Sequence, residues 1–171
     1  PRPISPYGVT KLAGERLCLA YGASFGVPVV ALRYFTVYGP RQRPDMAFSR
    51  FIGALEEDRE IAVFGDGLQT RDFTFVSDIV DATYRAGLIE ARDEIINVGG
   101  GSRVTLIDVF QILSRCTGRE PRLVFAADQA GDVRHTGADL TVARRLLQYE
   151  PQVPLAEGLR RQVEARMAAR L

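Results

Sequence analysis

Val9, Leu12, Ala13, Leu17, Ala20 and Tyr21 recur at helical spacing and predict a helix with one apolar stripe. Ser5 followed by Pro6 supplies an N-cap and a proline at the first helical position, and the helix should fade near Gly26. The pattern then changes. Within VPVVALRYFTVYGP, Val29 to Leu32 shows no polar alternation, which predicts a strand covered on both faces in a parallel sheet. DMAFSRFIGALEED reads as a helix, EIAVFG as a short strand, DGLQTRD as turn and loop, and FTFV as a strand. Ser77 is placed to cap a helix running to about Ile89, and EIINVGG is again a strand. Thr105 caps the helix that Gly118 stops. RLVFA predicts a strand and LTVARRLLQ a helix, and a last helix carries Leu155, Leu159, Val163 and Met167 in register. Strands alternating with helices of this size define an α/β fold.

Length and composition narrow the classes. A chain of 171 residues suffices for one ordinary domain with a real core, and 46% hydrophobic with 25% charged residues is the balance of a soluble globular protein. Lys+Arg of 22 against Asp+Glu of 21 argues against a polyanion-binding surface, so no nucleic-acid partner is expected. Arg160, Arg161, Arg166 and Arg170 read as one solvated helix face. Cys18 and Cys116 lie in helical patterns without metal-type spacing and read as buried free thiols, so no metal is expected. His135 is the one histidine, and nothing near it in sequence supplies the partners of a catalytic triad. No apolar run approaches the roughly 18 residues of a membrane span, and no signal peptide precedes Pro1. A cytoplasmic protein without a membrane partner is the expectation.

The candidate chemistry starts at SPYGVTKLAGE, residues 5–15. Tyr7 and the only lysine, Lys11, stand one helical turn apart, on a face roughly 150° from the apolar stripe. Gly14 and Cys18 continue that face and are small enough to let another backbone or a ligand approach. A phenol with a pKa of about 10 is a poor base at neutral pH. A nearby ammonium and a positively charged nicotinamide ring both favour the phenolate. A tyrosine so placed can take a proton from a sugar hydroxyl while the carbon beneath loses hydride to a cofactor.

The motif has company. SPYGVTKLAGE, LRYFTVYGPRQRPDMA, GDGLQTRDFTFVSDIVDA, INVGGGSRVTL, GDVRHTGADLTVARRLL and YEPQVPLAEGL occur in that order over nearly the whole chain. Together they closely resemble the C-terminal half of the extended short-chain dehydrogenase/reductases, and within them the NAD-dependent nucleotide-sugar epimerases and dehydratases, nearest to UDP-glucose 4-epimerase. The resemblance implies the C-terminal part of a Rossmann-like parallel sheet plus a smaller α/β substrate-binding domain. Residues 1–40 would be the closing helix and strand of the NAD-binding domain. Residues 41–171 would mainly bind nucleotide-sugar, with segments near 73–98 returning to the sheet. It assigns proton transfer to Tyr7, the nicotinamide ribose to Lys11, and the nicotinamide surroundings to Tyr34 and Phe35. The asparagine that usually follows, which touches the sugar-nucleotide, is Thr36 here; threonine keeps one short hydrogen-bonding group but lacks the amide donor. Arg71 would grip the diphosphate, its fork matching phosphate oxygens, and Asp132 the nucleotide ribose. Where some epimerases carry an arginine three residues earlier, this chain has Gln129, for which Arg134 is a candidate substitute.

Two family features are missing. No G-x-x-G-x-x-G cradle for the cofactor pyrophosphate occurs, and only Ser5 precedes Tyr7 where a catalytic serine or threonine normally stands well upstream. The chain therefore reads as the second half of a larger epimerase, inactive and weak in NAD binding by itself. In relatives the helix carrying the tyrosine–lysine pair packs into a two-fold four-helix interface, so the resemblance implies a homodimer for the complete enzyme. The alternatives are a nucleotide-sugar 4,6-dehydratase, which needs an upstream acidic pair, a non-catalytic nucleotide-sugar-binding protein, and an inactive gene fragment.

Overall fold

The structure, a computed structural model, describes residues 2–91, 93–127 and 133–169. Along the chain run α1 (Pro6–Phe25), β1 (Val30–Tyr34), β2 (Val37–Tyr38), α2 (Ala47–Glu56), β3 (Glu60–Phe64), β4 (Thr70–Arg71) and β5 (Thr74–Phe75). They are followed by α3 (Val76–Ala86), β6 (Glu94–Val98), β7 (Val104–Thr105), α4 (Leu106–Thr117), β8 (Arg122–Ala126), α5 (Thr141–Leu147) and α6 (Leu155–Ala168). Three strand pairs are parallel: β1 with β6, β2 with β5, and β3 with β8; β4 and β7 pair antiparallel. The apolar run Val29 to Leu32, which β1 carries as far as Arg33, fits such a parallel strand.

Two cores form. Ile79 and Ala82 of α3, Ile96 and Val98 of β6, and Leu140, Ala143, Leu147 and Tyr149 pack together on the β1–β6 side. Tyr38, Phe48, Ile52, Val109, Phe110, Leu113, Leu159 and Val163 form the other, where α2, α4 and α6 meet β3. The Tyr149 hydroxyl donates to the Gly99 carbonyl at 2.9 Å, which closes the exit of α5 onto the end of β6.

The capping signals at Ser5, Gly26, Thr105 and Gly118 act as read. Ser5 Oγ accepts from the Gly8 N–H at 3.1 Å, and Gly26 ends α1 in the left-handed region with φ 68°. Thr105 and Asp108 form a reciprocal capping box at the start of α4.

On α1, Val9, Leu17 and Tyr21 of the apolar stripe are exposed, and the face turned inward carries Leu12, Glu15, Leu19 and the buried Gly22. Arg33 on β1 ties that face down, its guanidinium donating to Glu15 in two hydrogen bonds of 2.6 and 2.8 Å. Three expectations need correction. Cys18, on the same helix, is exposed rather than buried; Cys116 is half-buried. Ser77 does not cap α3, because the helix starts directly at the end of β5 with Phe75 as N-cap. Arg166 leaves the solvated face of α6 and pairs at 2.8 Å with Glu56 of α2.

The Glu15–Arg33 pair gives a pH prediction. The Arg33 guanidinium holds the Glu15 carboxyl below its ordinary value of 4.5, outweighing the opposing effect of burial. A lowered folded-state value contributes stability that is complete above that ordinary range and is lost as pH falls through the folded value. Glu15→Gln should therefore cost about 1 kcal/mol at neutral pH, the part-exposed arginine keeping the figure small. The difference from wild type should shrink on acidification below 4.5. Thermal melts of both proteins across that range check it; a difference that does not depend on pH would rule the pair out as its origin.

Candidate active site

Between β1 and β2 the chain changes partners. β1 pairs with β6, but β2, two residues on, pairs with β5, so the chain passes from one strand pair to another at Phe35–Thr36. Such divergence at the carboxyl ends of parallel strands opens a crevice in which α/β folds bind ligands. The passage is tied on both sides. The Phe35 N–H donates to Val98 O at 2.9 Å, and the Thr74 N–H to Thr36 O at 3.0 Å.

A cleft of about 580 Å³ opens beside it, lined by Thr36, Pro44, Phe64 at the end of β3, Gln69, Arg71 and one face of α2 that includes Arg50 and Phe51. Two of the predicted site residues, Thr36 and Arg71, therefore meet in one cavity. Arg71 is aimed by β4: its Nη1 donates to the carbonyls of Thr70, at 2.9 Å, and Arg134, at 3.2 Å. Residues 134–136 run alongside, with the Thr70 N–H on Arg134 O at 2.9 Å and the Thr136 N–H on Thr70 O at 3.1 Å. His135 lies there too, its Nδ1 2.9 Å from Thr70 Oγ1. Arg134 donates to Asp66 at 2.6 Å and, with the Leu68 N–H, holds that carboxyl below its usual range.

Asp72, next to Arg71, is buried. Its two oxygens accept from the Gly100 N–H at 2.7 Å and the Ala138 N–H at 3.0 Å. Burial pushes this carboxyl up, and the same backbone donors work against that shift. Asp72 thus fastens the glycine turn after β6 to the 133–139 segment, directly after Arg71 in the chain.

The other predicted residues lie apart from the cleft lining. Tyr7 is 71% exposed on α1, and the Lys11 ammonium sits over its ring, 5.3 Å from the centroid. The Tyr34 hydroxyl meets Thr83 Oγ1 of α3 at 2.8 Å, and Phe35 is half-buried. Asp132 and Gln129 lie outside the described residues. Sequence reasoning missed Phe64, Gln69 and Arg50; for Phe64 the signal was an aromatic residue at the carboxyl end of a strand. Among the described residues no group of three or more His, Cys, Asp or Glu could hold a metal ion, and no helix is long and apolar enough to cross a membrane. Chemically, the cleft offers a guanidinium, an aromatic face and a hydroxyl, a set suited to a nucleotide diphosphate carrying a sugar.

Residues 1–99 match the model of the NAD dependent epimerase/dehydratase family, and the chain belongs to that family. It is 46% identical over 162 residues to the uncharacterized UDP-glucose epimerase YtcB of Bacillus subtilis, covering 94% of this chain and 51% of that protein. It is 41% identical over 162 residues to the UDP-glucuronate 4-epimerase of Thermodesulfobacterium geofontis, covering 94% of this chain and 50% of that one. Among solved structures, the UDP-glucuronic acid 4-epimerase of Bacillus cereus in complex with UDP-glucuronic acid and NAD superposes with a TM-score of 0.94 at 44% identity, over 99% of this chain and 55% of that chain. The fold is accordingly that of the C-terminal part of the Rossmann-type epimerases, and the chain spans about half the length of the curated relatives it matches.

Proposed function

We propose that this chain is the substrate-binding and tyrosine-bearing half of an NAD-dependent UDP-hexose 4-epimerase. The observation that carries the reading is the meeting of Arg71 and Thr36 in one cleft at the strand-partner switch, in a chain that matches a UDP-glucuronic acid 4-epimerase over 99% of its length. The β1–β6 core would serve the cofactor side and the α2–α4–α6 core the nucleotide-sugar side. Arg71 binds the diphosphate, Phe64 offers its ring to the base, and Thr36 meets the hexose. Asp132 takes the nucleotide ribose.

The residues at hand fit the nicotinamide end of the cofactor: Tyr7 and Lys11 share an open face of α1, and Tyr34 and Phe35 stand at the carboxyl end of β1. NAD, when bound, supplies a hydride acceptor that can return the hydride to the opposite face of the sugar. Tyr7 takes the proton of the hexose 4-hydroxyl at its phenolic oxygen and gives it back after the hexose has turned. Lys11, whose ammonium lies over the Tyr7 ring, holds the nicotinamide ribose. A homodimer is part of the proposal, supported by the exposed Leu17, Tyr21 and Phe25 on α1; sedimentation of the complete enzyme as a monomer would remove it.

The test is direct. The complete enzyme should interconvert UDP-glucuronic acid or UDP-glucose with its 4-epimer in the presence of NAD, and absence of turnover on both would overturn the proposal. Within it, Arg71→Lys should weaken UDP binding by about 1–3 kcal/mol, because a point charge replaces a planar fork. Calorimetric titration with UDP reads this, and unchanged affinity would take Arg71 out of the diphosphate site.

A further inference from the structure

We infer that Thr74 is a positioning residue for the hexose end of the site, an inference that rests on the epimerase reading above. Thr74 is 0% exposed, and a hydroxyl buried to that degree needs a partner. It has one: Oγ1 donates to the Phe35 carbonyl at 2.8 Å. The Thr74 N–H, on Thr36 O at 3.0 Å, belongs to the regular β2–β5 pairing, in which Thr74 stands opposite Val37. The hydroxyl bond does not belong to it. Phe35 lies two residues before the paired Val37, and its own N–H closes the other strand pair on Val98 O at 2.9 Å. Its carbonyl therefore falls between the two pairs, where the chain leaves one and enters the other. The Thr74 side chain supplies there the bond that neither ladder provides.

The peptide so held is the one that leads into Thr36, which lines the cleft with Arg71. Removing the hydroxyl frees the plane of that peptide and shifts Thr36 against the hexose. Arg71 is insulated from the change, since β4 and the 134–136 segment aim it. The two neighbouring positions thus govern different ends of one substrate: Arg71 the diphosphate, Thr74, through Phe35 and Thr36, the sugar.

The separation of those ends is measurable in the complete enzyme, as kcat with UDP-glucuronic acid or UDP-glucose and as the Kd for UDP by calorimetry. Thr74→Val keeps the shape and loses the hydroxyl. It should lower kcat roughly tenfold or more, the effect of leaving a part-buried carbonyl without its donor, with the UDP Kd unchanged. Thr74→Ala and Thr74→Ser leave the same missing methyl, so their difference isolates the hydroxyl whatever the packing cost. Serine should restore turnover and alanine should not. A purely structural threonine would lower the melting temperature of the alanine and serine variants alike without splitting kcat from UDP affinity. Turnover lost equally in the serine and alanine variants, turnover kept in the valine variant, or UDP affinity falling in step with kcat would each overturn the inference while leaving the epimerase reading intact. A wild-type enzyme that converts neither UDP-hexose would overturn both.

Discussion

Tyr7→Phe, made in the complete enzyme, is expected to lower kcat by a factor of roughly 10² to 10⁴, the usual contribution of a positioned acid/base. The substitution removes one hydroxyl from a side chain that is 71% exposed in this chain, so the melting temperature of this chain should not move. The helix that carries it is set independently, by the Ser5 cap and by Glu15 on Arg33. UDP affinity should also hold, since Arg71 and Thr36 line a cleft to which Tyr7 does not contribute. Lys11→Ala should behave differently. The ammonium lies over the Tyr7 ring and is assigned both to the phenolate and to the nicotinamide ribose, so rate and NAD affinity should fall together. Near-normal turnover in a folded Tyr7→Phe enzyme would remove Tyr7 as the base even with the family membership standing.

Which of these features the sequence disclosed follows from how local their causes are. Caps are local, and Ser5, Thr105 and Gly118 act where they were read because each satisfies groups within its own turn. Parallel β1 was legible from the apolar run Val29 to Leu32, although in this chain those residues are half-buried and Arg33 interrupts the run. The orientation of α1 was not, because a stripe of Val9, Leu17 and Tyr21 says that something apolar covers it without saying what. The decisive contact came from Arg33, 18 residues away from Glu15 and silent in any periodicity. The two-residue β4 was read as loop for the same reason: its partners, at 104–105 and 134–136, are distant in sequence. Tyr7, Lys11, Thr36 and Arg71 were named from motifs, and the structure brings Thr36 and Arg71 into one cleft. The residues that fix those side chains, Asp72 and Thr74, were hidden inside the same RDFT stretch. A buried carboxylate and a buried hydroxyl look like ordinary loop and strand residues until their carbonyl and N–H partners are known.

Gly100→Ala should be the most damaging single methyl that can be added near this site. A Cβ at Gly100 would run into the backbone carbonyl oxygen of Phe73 and come within 3.2 Å of Asp72 Oδ1. Neither can swing aside as a flexible side chain could, because Phe73 lies between β4 and β5 and Asp72 is anchored at both oxygens. The turn after β6 would have to retreat, stretching the 2.7 Å bond between the Gly100 N–H and the carboxylate. Overpacking and a weakened buried charge–amide bond add, for a loss of about 3 kcal/mol or more. That is a large part of the roughly 5–15 kcal/mol that holds a domain folded. The control is Gly14→Ala, on the open face of α1, where an added Cβ meets nothing within 4 Å. There alanine should gain up to about 1 kcal/mol from helix propensity. Urea denaturation of this chain separates the two cases by their midpoints. The functional consequence follows from the same bond: with Asp72 loosened from Gly100, its hold on Ala138 weakens, and UDP affinity in the complete enzyme should fall along with stability. A Gly100→Ala protein with the wild-type midpoint would show that the turn after β6 can move away from Phe73 at no cost, and the clamp at Asp72 would then not be what fixes the nucleotide side of the cleft.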